Sequence, residues 1–170
     1  MKRHTTLRIW SIFSEADVAM LRTPALPVAL AECALPEMQQ RIDDMIATMY
    51  QAEGIGLAAP QIGVNERIAV IAAEVAGRSA PLVLLNPTIE ALGTEQESGE
   101  EGCLSIPKVY GMVPRAITVQ LKACDRHRQP YTLQAKGLFA RVLQHEVDHL
   151  NGVLFIDRAT SYTKGEKLLS

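Results

Sequence analysis

Long apolar runs are missing from this sequence of 170 residues, and no segment approaches the roughly 20 apolar residues that a membrane-spanning helix needs. An excess of one charge is missing too, since 17 basic and 19 acidic residues give a formal net charge of −2. Proteins that bind nucleic acids or membrane surfaces usually carry such an excess, so neither partner is expected. Aromatic residues are only 5%, so a specific site is expected to consist of loops and polar groups.

Cysteine is scarce and odd in number. The three residues Cys33, Cys103 and Cys124 are widely spaced, which does not describe a disulfide framework. The first residues, MKRHTTLRIWSIF, include basic and apolar side chains, but no clear small-residue cleavage site follows them. Both observations favour a cytoplasmic protein without a removable leader.

The chain does contain enough apolar material for one core. Hydrophobic residues make up 48% and charged residues 21%, close to the average of globular proteins. A chain of this length fits one domain, which we expect to comprise residues 1–170. The polar tail, about 158–170, is expected to be frayed or to form a brief terminal helix.

Helix and strand patterns do not alternate as in a βαβ fold. Apolar residues at steps of three and four predict helices over 36–52 and 138–150. The glycine-containing segment 54–63 is interpreted as a loop or a short edge strand. Short apolar runs predict largely antiparallel strands over 67–73, 81–86, 115–123 and 131–135. This order favours an α+β fold in which antiparallel sheets wrap around a central helix, the one that contains HEVDH.

The HEVDH segment, residues 145–149, carries the first indication of chemistry. His145 and His149 are four positions apart, so on a helix both imidazoles can point at one ion, with Glu146 beside it. The alternative is a pair of solvated or core histidines. Unpaired imidazoles on a buried apolar helix would be costly, so a metal site is the favoured interpretation.

A catalytic divalent ion usually takes a third protein ligand. Downstream of the histidines the candidates are the acids Asp157 and Glu166. Upstream, Cys103 lies in the turn-forming segment EGCLS, from which a thiolate could face the helix. The other cysteines are expected to be small buried hydrophobic residues and the other histidines to be at the surface: Cys33, Cys124, His4 and His127.

Three motifs coincide in this chain: GIGLAAPQ at 54–61, EGCLS at 101–105 and QHEVDH at 144–149. Together they resemble the peptide deformylases. The likeness extends to LRTPALPV (21–28), RIDDMIATMY (41–50), VPRA (113–116) and LNGVLFID (150–157), and so runs from about residue 20 to 158. The resemblance implies a single catalytic domain, a metal-dependent hydrolase that removes the formyl group from the N-terminal formyl-methionine of nascent polypeptides and releases formate.

The resemblance also implies that Cys103, His145 and His149 hold one divalent metal ion and a water molecule. Fe²⁺ is the usual physiological ion of the family, and such ligands would also bind Zn²⁺, Ni²⁺ or Co²⁺. The ion would lower the pKa of its water, and the hydroxide would attack the formyl carbon. Glu146 would take the proton of the water and later give it to the departing amine.

Contacts to the substrate are implied by the same likeness. The side-chain amide of Gln61 and the backbone N–H of Leu104 would stabilise the oxyanion. Gly56 would offer its backbone to a substrate bound as an added strand. The methionine pocket would be lined by aliphatic residues such as Ile55, Leu138 and Val142. Arg115 and Asp148 are hypothesised to form an ion pair that fixes the HEVDH helix against the VPRA segment.

The sequence departs from the family pattern at Gly99, where an aliphatic residue is common, and this predicts an altered methionine pocket. The tail after Asp157 is also shorter than the C-terminal helix by which some relatives dock on the ribosome, so docking by that route is not expected.

Two other functions stay open. A zinc endopeptidase that uses HEVDH alone would cleave internal peptide bonds and would tolerate Cys103→Ala. A catalytically idle metal-binding module would retain metal without turnover. The presence of both Glu146 and Gln61, which metal retention alone does not require, weighs against the idle module.

Overall fold

The computed structural model describes residues 5–29 and 31–169, so His4 lies outside the described residues. Four α-helices are present in these ranges: α1 (Glu15–Leu21), α2 (Pro36–Gln51), α3 (Ala73–Ala76) and α4 (Leu138–Leu150). The strands in the same ranges are β1 (Gly56–Ala58), β2 (Ile68–Ile71), β3 (Leu82–Leu92), β4 (Gln96–Cys103), β5 (Ile106–Ala116), β6 (Thr118–Cys124), β7 (Pro130–Lys136) and β8 (Ser161–Lys164).

The strands form two antiparallel sheets. The larger sheet has the order β1-β2-β3-β6-β7, and the smaller sheet has the order β4-β5-β8. Helix α4 contacts every strand of the larger sheet and also β5 of the smaller one. The expected α+β fold, with antiparallel sheets around the HEVDH helix, is confirmed.

Helix α2 follows directly from its sequence. Pro36 stands at its first turn, where a missing backbone N–H costs nothing, and the preceding Leu35 is extended. The residues spaced three and four apart are fully buried against β1 and β2: Ile42, Met45 and Met49. The predicted helix over 36–52 is therefore confirmed to within one residue, and its methionines belong to the core.

Helix α4 begins after Gly137, whose φ of 61° suits glycine. Leu143 and Leu150 are fully buried in the core. The Gln144 amide donates to the Ala116 carbonyl at 2.9 Å and its oxygen accepts from the Ala116 N–H at 3.1 Å, which joins the helix to the end of β5. A helix held in this way presents His145 and His149 in fixed positions.

The predicted strands at 67–73, 81–86 and 131–135 are present as β2, β3 and β7. The prediction of one strand over 115–123 is wrong in part, because residues 115 and 116 end β5 and β6 begins at Thr118. Strand β4, QESGEEGC, has no apolar alternation and was not predicted; its cross-strand partner is β5. The tail is not frayed, since β8 pairs with Tyr110, Gly111 and Met112 of β5, and the expected brief terminal helix is present as a 3-10 helix, Glu166–Leu168.

The non-ligand cysteines and histidine differ in burial. Cys33 is fully buried and Cys124 is only half-buried, so the expectation of burial is wrong in part for Cys124; both pack in the core around α2. His127 is exposed, as expected. Among the described residues, no helix has the length and apolar character needed to cross a membrane.

Substitution Met45→Ala is expected to lower the free energy of unfolding by about 2–5 kcal/mol, because it leaves a cavity under α2. Urea unfolding followed by circular dichroism measures this loss. Glu37→Ala, at an exposed position of the same helix, is the control and should change the free energy by less than about 0.5 kcal/mol. Equal effects of the two substitutions would contradict the assignment of Met45 to the core.

Candidate active site

Three metal-ligating side chains converge where the smaller sheet meets α4. Cys103 ends β4, while His145 and His149 are one turn apart on α4. Their ligand atoms all lie within 4.8 Å of one another. The Nε2 atom of His149 lies 3.2 Å from Cys103 Sγ and 3.2 Å from His145 Nε2. Ligands of a tetrahedral zinc-type ion are about 3.4 Å apart, so this donor set fits a divalent metal.

The hydrogen bonds and burial of the two histidines also suit a metal site. His145 Nδ1 lies 2.9 Å from Glu101 Oε2, and this carboxylate can only accept, so Nδ1 carries the proton and Nε2 keeps its lone pair for an ion. Although burial raises the pKa of Glu101, hydrogen bonds from His145 and Arg115 lower it to about 2, so the acceptor is ionised. Burial and the neighbouring His145 keep the pKa of His149 well below its ordinary value, which favours the neutral ring.

The acids considered as third ligands lie elsewhere. Asp157 accepts hydrogen bonds from Arg22 and from the Leu154 N–H, at 2.8 Å in the second case. Glu166 begins the short 3-10 helix Glu166–Leu168 and is exposed. Of the three candidates, only Cys103 is brought to the histidines.

Glu146 is buried beside the ligand cluster, and its Oε2 atom has no hydrogen-bond partner among the described residues. Burial raises the pKa of this carboxyl to about 7. Strand β1 passes close by, because a Cβ built on Gly56 would overlap the Glu146 carboxylate. Glycine at position 56 therefore lets the β1 backbone reach the carboxylate, and a larger residue would displace it.

Gln61 is buried with its side chain fixed in orientation. Its Oε1 atom accepts from the Ala58 N–H at 2.9 Å, so the amide nitrogen points the other way. That nitrogen lies 3.5 Å from Cys103 Sγ and 3.2 Å from Ser105 Oγ. Gln61 thus presents an N–H group towards the metal-ligand cluster. Ser105 is a site residue that sequence reasoning missed, although it belongs to the EGCLS motif.

Leu104 lies in the turn between β4 and β5, directly after Cys103. A Cβ built on Gly54 would lie 2.8 Å from Leu104 Cδ1, so this turn packs closely on the loop before β1. The GIGLAAPQ and EGCLS motifs, far apart in sequence, are therefore in direct contact.

A cavity of about 480 Å³ opens onto the cluster. The residues expected to bind substrate all line it: Ile55, Gly56, Leu138 and Val142. Ile55 and Leu138 are 42% and 58% exposed, which places them at the mouth, whereas Val142 is 5% exposed and lies deeper. The cavity is also lined by Gln61, Cys103, Leu104, His145 and Glu146.

The expected ion pair between Arg115 and Asp148 is present, at 2.5 Å, and both side chains are buried. Sequence reasoning missed the larger network around it. Arg115 also donates to both Glu101 oxygens, at 2.9 and 3.0 Å, and Arg158 donates to both Asp148 oxygens. Arg141 reaches Glu101 as well, at 2.9 Å. The sequence contained one indication of this network, because Glu101 is the first residue of the EGCLS motif and lies two residues before Cys103.

Residues 11–165 match the Polypeptide deformylase family. The peptide deformylase of Chromohalobacter salexigens is 52% identical over 137 residues, which cover 81% of this chain and 78% of the relative. Peptide deformylase 1 of Pseudomonas syringae pv. tomato is 50% identical over the same length, with 81% and 79% covered.

Solved structures give the same result. A class I type b peptide deformylase from Acinetobacter baumannii is 36% identical, with a TM-score of 0.83 over 91% of this chain and 99% of that chain. A peptide deformylase from Synechococcus elongatus in complex with actinonin is 41% identical, with a TM-score of 0.82 over 95% and 85%. In sequence, fold and arrangement of motifs alike, the chain belongs to the polypeptide deformylase family.

Proposed function

We propose that this enzyme removes the formyl group from the N-terminal formyl-methionine of nascent polypeptides, with the residues named above in defined roles. The reaction consumes one water and yields formate and a free amine. The observation that carries the proposal is the meeting of a thiol, two imidazoles, a buried carboxyl and a side-chain amide at one cavity. Family membership supports the same activity.

Cys103, His145 and His149 would hold one divalent ion. When bound, such an ion acidifies a water ligand and polarises the formyl carbonyl. Fe²⁺ is our proposal for the physiological ion, and a purified sample is expected to take up Zn²⁺, Ni²⁺ or Co²⁺, since thiolate and imidazole bind these ions well. Glu101 would keep the His145 ring turned so that Nε2 faces the ion.

Glu146 would move the proton. Its unpartnered oxygen is available to accept a proton from the attacking water, and the resulting carboxylic acid can donate it to the nitrogen as the C–N bond breaks. One residue serving first as base and then as acid moves this proton from the water to the amine, and the second water proton is released when the product formic acid ionises to formate.

Gln61 and Leu104 would stabilise the negative charge that develops on the formyl oxygen. The Gln61 amide nitrogen already faces Cys103 because its oxygen is held by the Ala58 N–H. Donors fixed before the substrate arrives need no reorganisation during the reaction, and each is worth about 3–4 kcal/mol of barrier.

The substrate backbone would pair with β1. This strand is at one end of the larger sheet, and within residues 5–29 and 31–169 it pairs with β2 on one side only, so its other edge can accept an added strand. Main-chain pairing at Gly56 with one side-chain pocket near Val142 would allow many sequences after the first residue. Such substrates are present where polypeptides are made, so we propose a cytoplasmic location. Transient ribosome association through the tail is not part of the proposal, because β8 is paired within the fold.

Replacement of Glu146 by Gln is expected to reduce kcat on the order of 10²–10⁴-fold, because an amide cannot accept the proton. Formate released anaerobically from formyl-Met-Ala-Ser, with metal content determined in parallel, measures the effect. Metal content should be unchanged, since the ligands are intact. A variant that keeps the wild-type rate would remove Glu146 from the mechanism.

The Cys103→Ala variant should lose both tightly held metal and formate release, because two imidazoles alone hold the ion weakly. Cys124→Ala, which removes a thiol outside the site, is the matched control. A Cys103→Ala enzyme that retains metal and cleaves internal peptide bonds would support the endopeptidase instead. Wild-type protein that holds metal but releases no formate would support the idle module.

Loss of the Arg115 guanidinium in Arg115→Ala leaves Glu101 and Asp148 without their buried cation. We expect a loss of about 3–5 kcal/mol in the free energy of unfolding and reduced metal content, since His145 loses its anchored acceptor. Arg126→Ala, an arginine bonded to Gln39 and Asp43, is the control. Intact metal content and activity in Arg115→Ala would refute this role for the ion pair.

A further inference from the structure

A second cavity, of about 230 Å³, adjoins the substrate cavity of about 480 Å³. Three residues line both: Glu100, Leu138 and Arg141. These side chains therefore form the wall between the two spaces.

Arg141 is the least exposed of the three residues of this wall. Leu138 is 58% exposed and lies at the mouth. The Glu100 carboxylate accepts from Thr163 Oγ1 at 2.6 Å, so it is bound to β8. The Arg141 side chain is only 13% exposed, and it lies on α4 between Leu138 and His145.

Four acceptors hold the Arg141 guanidinium in place. Nη1 lies 2.9 Å from Glu101 Oε1, 2.7 Å from the Val113 carbonyl and 3.4 Å from the Gly99 carbonyl. Nη2 donates to the Glu97 carbonyl at 2.7 Å. A long side chain is normally mobile, but one with these bonds to two strands is a fixed wall.

Gly99 makes room for this arrangement. A Cβ built at position 99 would lie 2.8 Å from Arg141 Cζ and 2.8 Å from Nη2. Any other residue there would force the guanidinium away from its acceptors. The Arg141 guanidinium therefore fills the space that a side chain at position 99 would occupy. This is the structural feature that corresponds to the altered pocket expected from Gly99.

We propose that Arg141 is a specificity-determining residue whose side chain closes the far end of the methionine pocket and limits the length of the first substrate side chain. The proposal rests on the proposed function, since it assigns the substrate cavity to the N-terminal residue. Truncation at position 141 would join the two cavities and admit a longer unbranched chain.

The test compares peptides that begin with norleucine, which has the shape of methionine, and with 2-aminooctanoate, which has two further methylenes. In Arg141→Ala, the ratio of kcat/KM for formyl-2-aminooctanoyl-Ala-Ser over formyl-norleucyl-Ala-Ser should rise on the order of tenfold, because each buried methylene is worth roughly fourfold. Arg141→Met keeps an unbranched chain in the wall but loses the hydrogen bonds that fix it, so its ratio should lie between those of the wild type and Arg141→Ala. Arg126→Ala should also leave the ratio unchanged.

A merely structural role for Arg141 predicts a different result, in which the Ala and Met variants lose activity alike and neither changes the ratio. That outcome would overturn the proposal. Calorimetric dissociation constants for the unformylated peptides norleucyl-Ala-Ser and 2-aminooctanoyl-Ala-Ser give the same ratio without turnover. If the wild type binds these peptides but releases no formate, the proposed function fails. The ratio of the two dissociation constants still tests whether Arg141 limits the length of the first side chain. If the wild type binds neither peptide, the proposal for Arg141 fails too.

A double-mutant cycle tests the pairing with Gly99. Gly99→Ala should weaken binding of norleucyl-Ala-Ser severalfold in the wild-type background, because the new methyl displaces the guanidinium. In the Arg141→Ala background that atom clash is gone, so the same change should have little effect. Equal losses in both backgrounds would show that the two residues act independently and would contradict the proposal.

Discussion

The buried carboxylate of Glu101 is the group on which the rest of the site depends. It accepts four hydrogen bonds, two from Arg115, one from Arg141 and one from His145. An isolated carboxylate is very costly to bury, so the anion and its cationic partners stabilise one another and none can be removed alone. These bonds join β4, which carries Glu101, to β5 and to two turns of α4. One anion thereby fixes the smaller sheet against the helix and sets the orientation of the His145 ring.

This constraint explains how donors distant in sequence reach one point. Cys103 ends the same strand that carries Glu101. Because the Glu101 carboxylate anchors this strand to α4, it also fixes the position of the Cys103 thiol relative to the helix axis. Asp148, one residue before His149, binds Arg115 from the other side and prevents rotation of the helix. The two histidines need only their spacing of four residues to complete the cluster. Rigidity of the Cys103, His145 and His149 cluster therefore comes from charged groups outside it.

The sequence predicted those elements in which the buried apolar residues recur at a regular spacing. Helix α4 was predicted with the observed bounds, and α2 within one residue, because both bury one apolar face against a sheet. Strands β4 and β8 have no such period, since their side chains are mostly exposed and their stability comes from backbone pairing with β5. The metal-ligand set could be proposed from the residues only in part, because the choice of Cys103 over downstream acids depends on tertiary contacts. The orientation of Gln61 and the role of Arg141 depend on which backbone groups lie nearby, which no local pattern encodes.

His145 and Arg141 are coupled in this molecule, because Glu101 binds both. A change at Arg141 therefore reaches His145 through one carboxylate, and the steric and electrostatic consequences of such a change arrive together. The open edge of β1 is different, since it offers backbone groups that are alike for every residue. Under the proposed roles, selection would be concentrated at the first side chain, where the wall is rigid, while the following residues would meet an edge that does not discriminate among side chains. This division suits an enzyme whose substrates share their first residue and differ in all that follow.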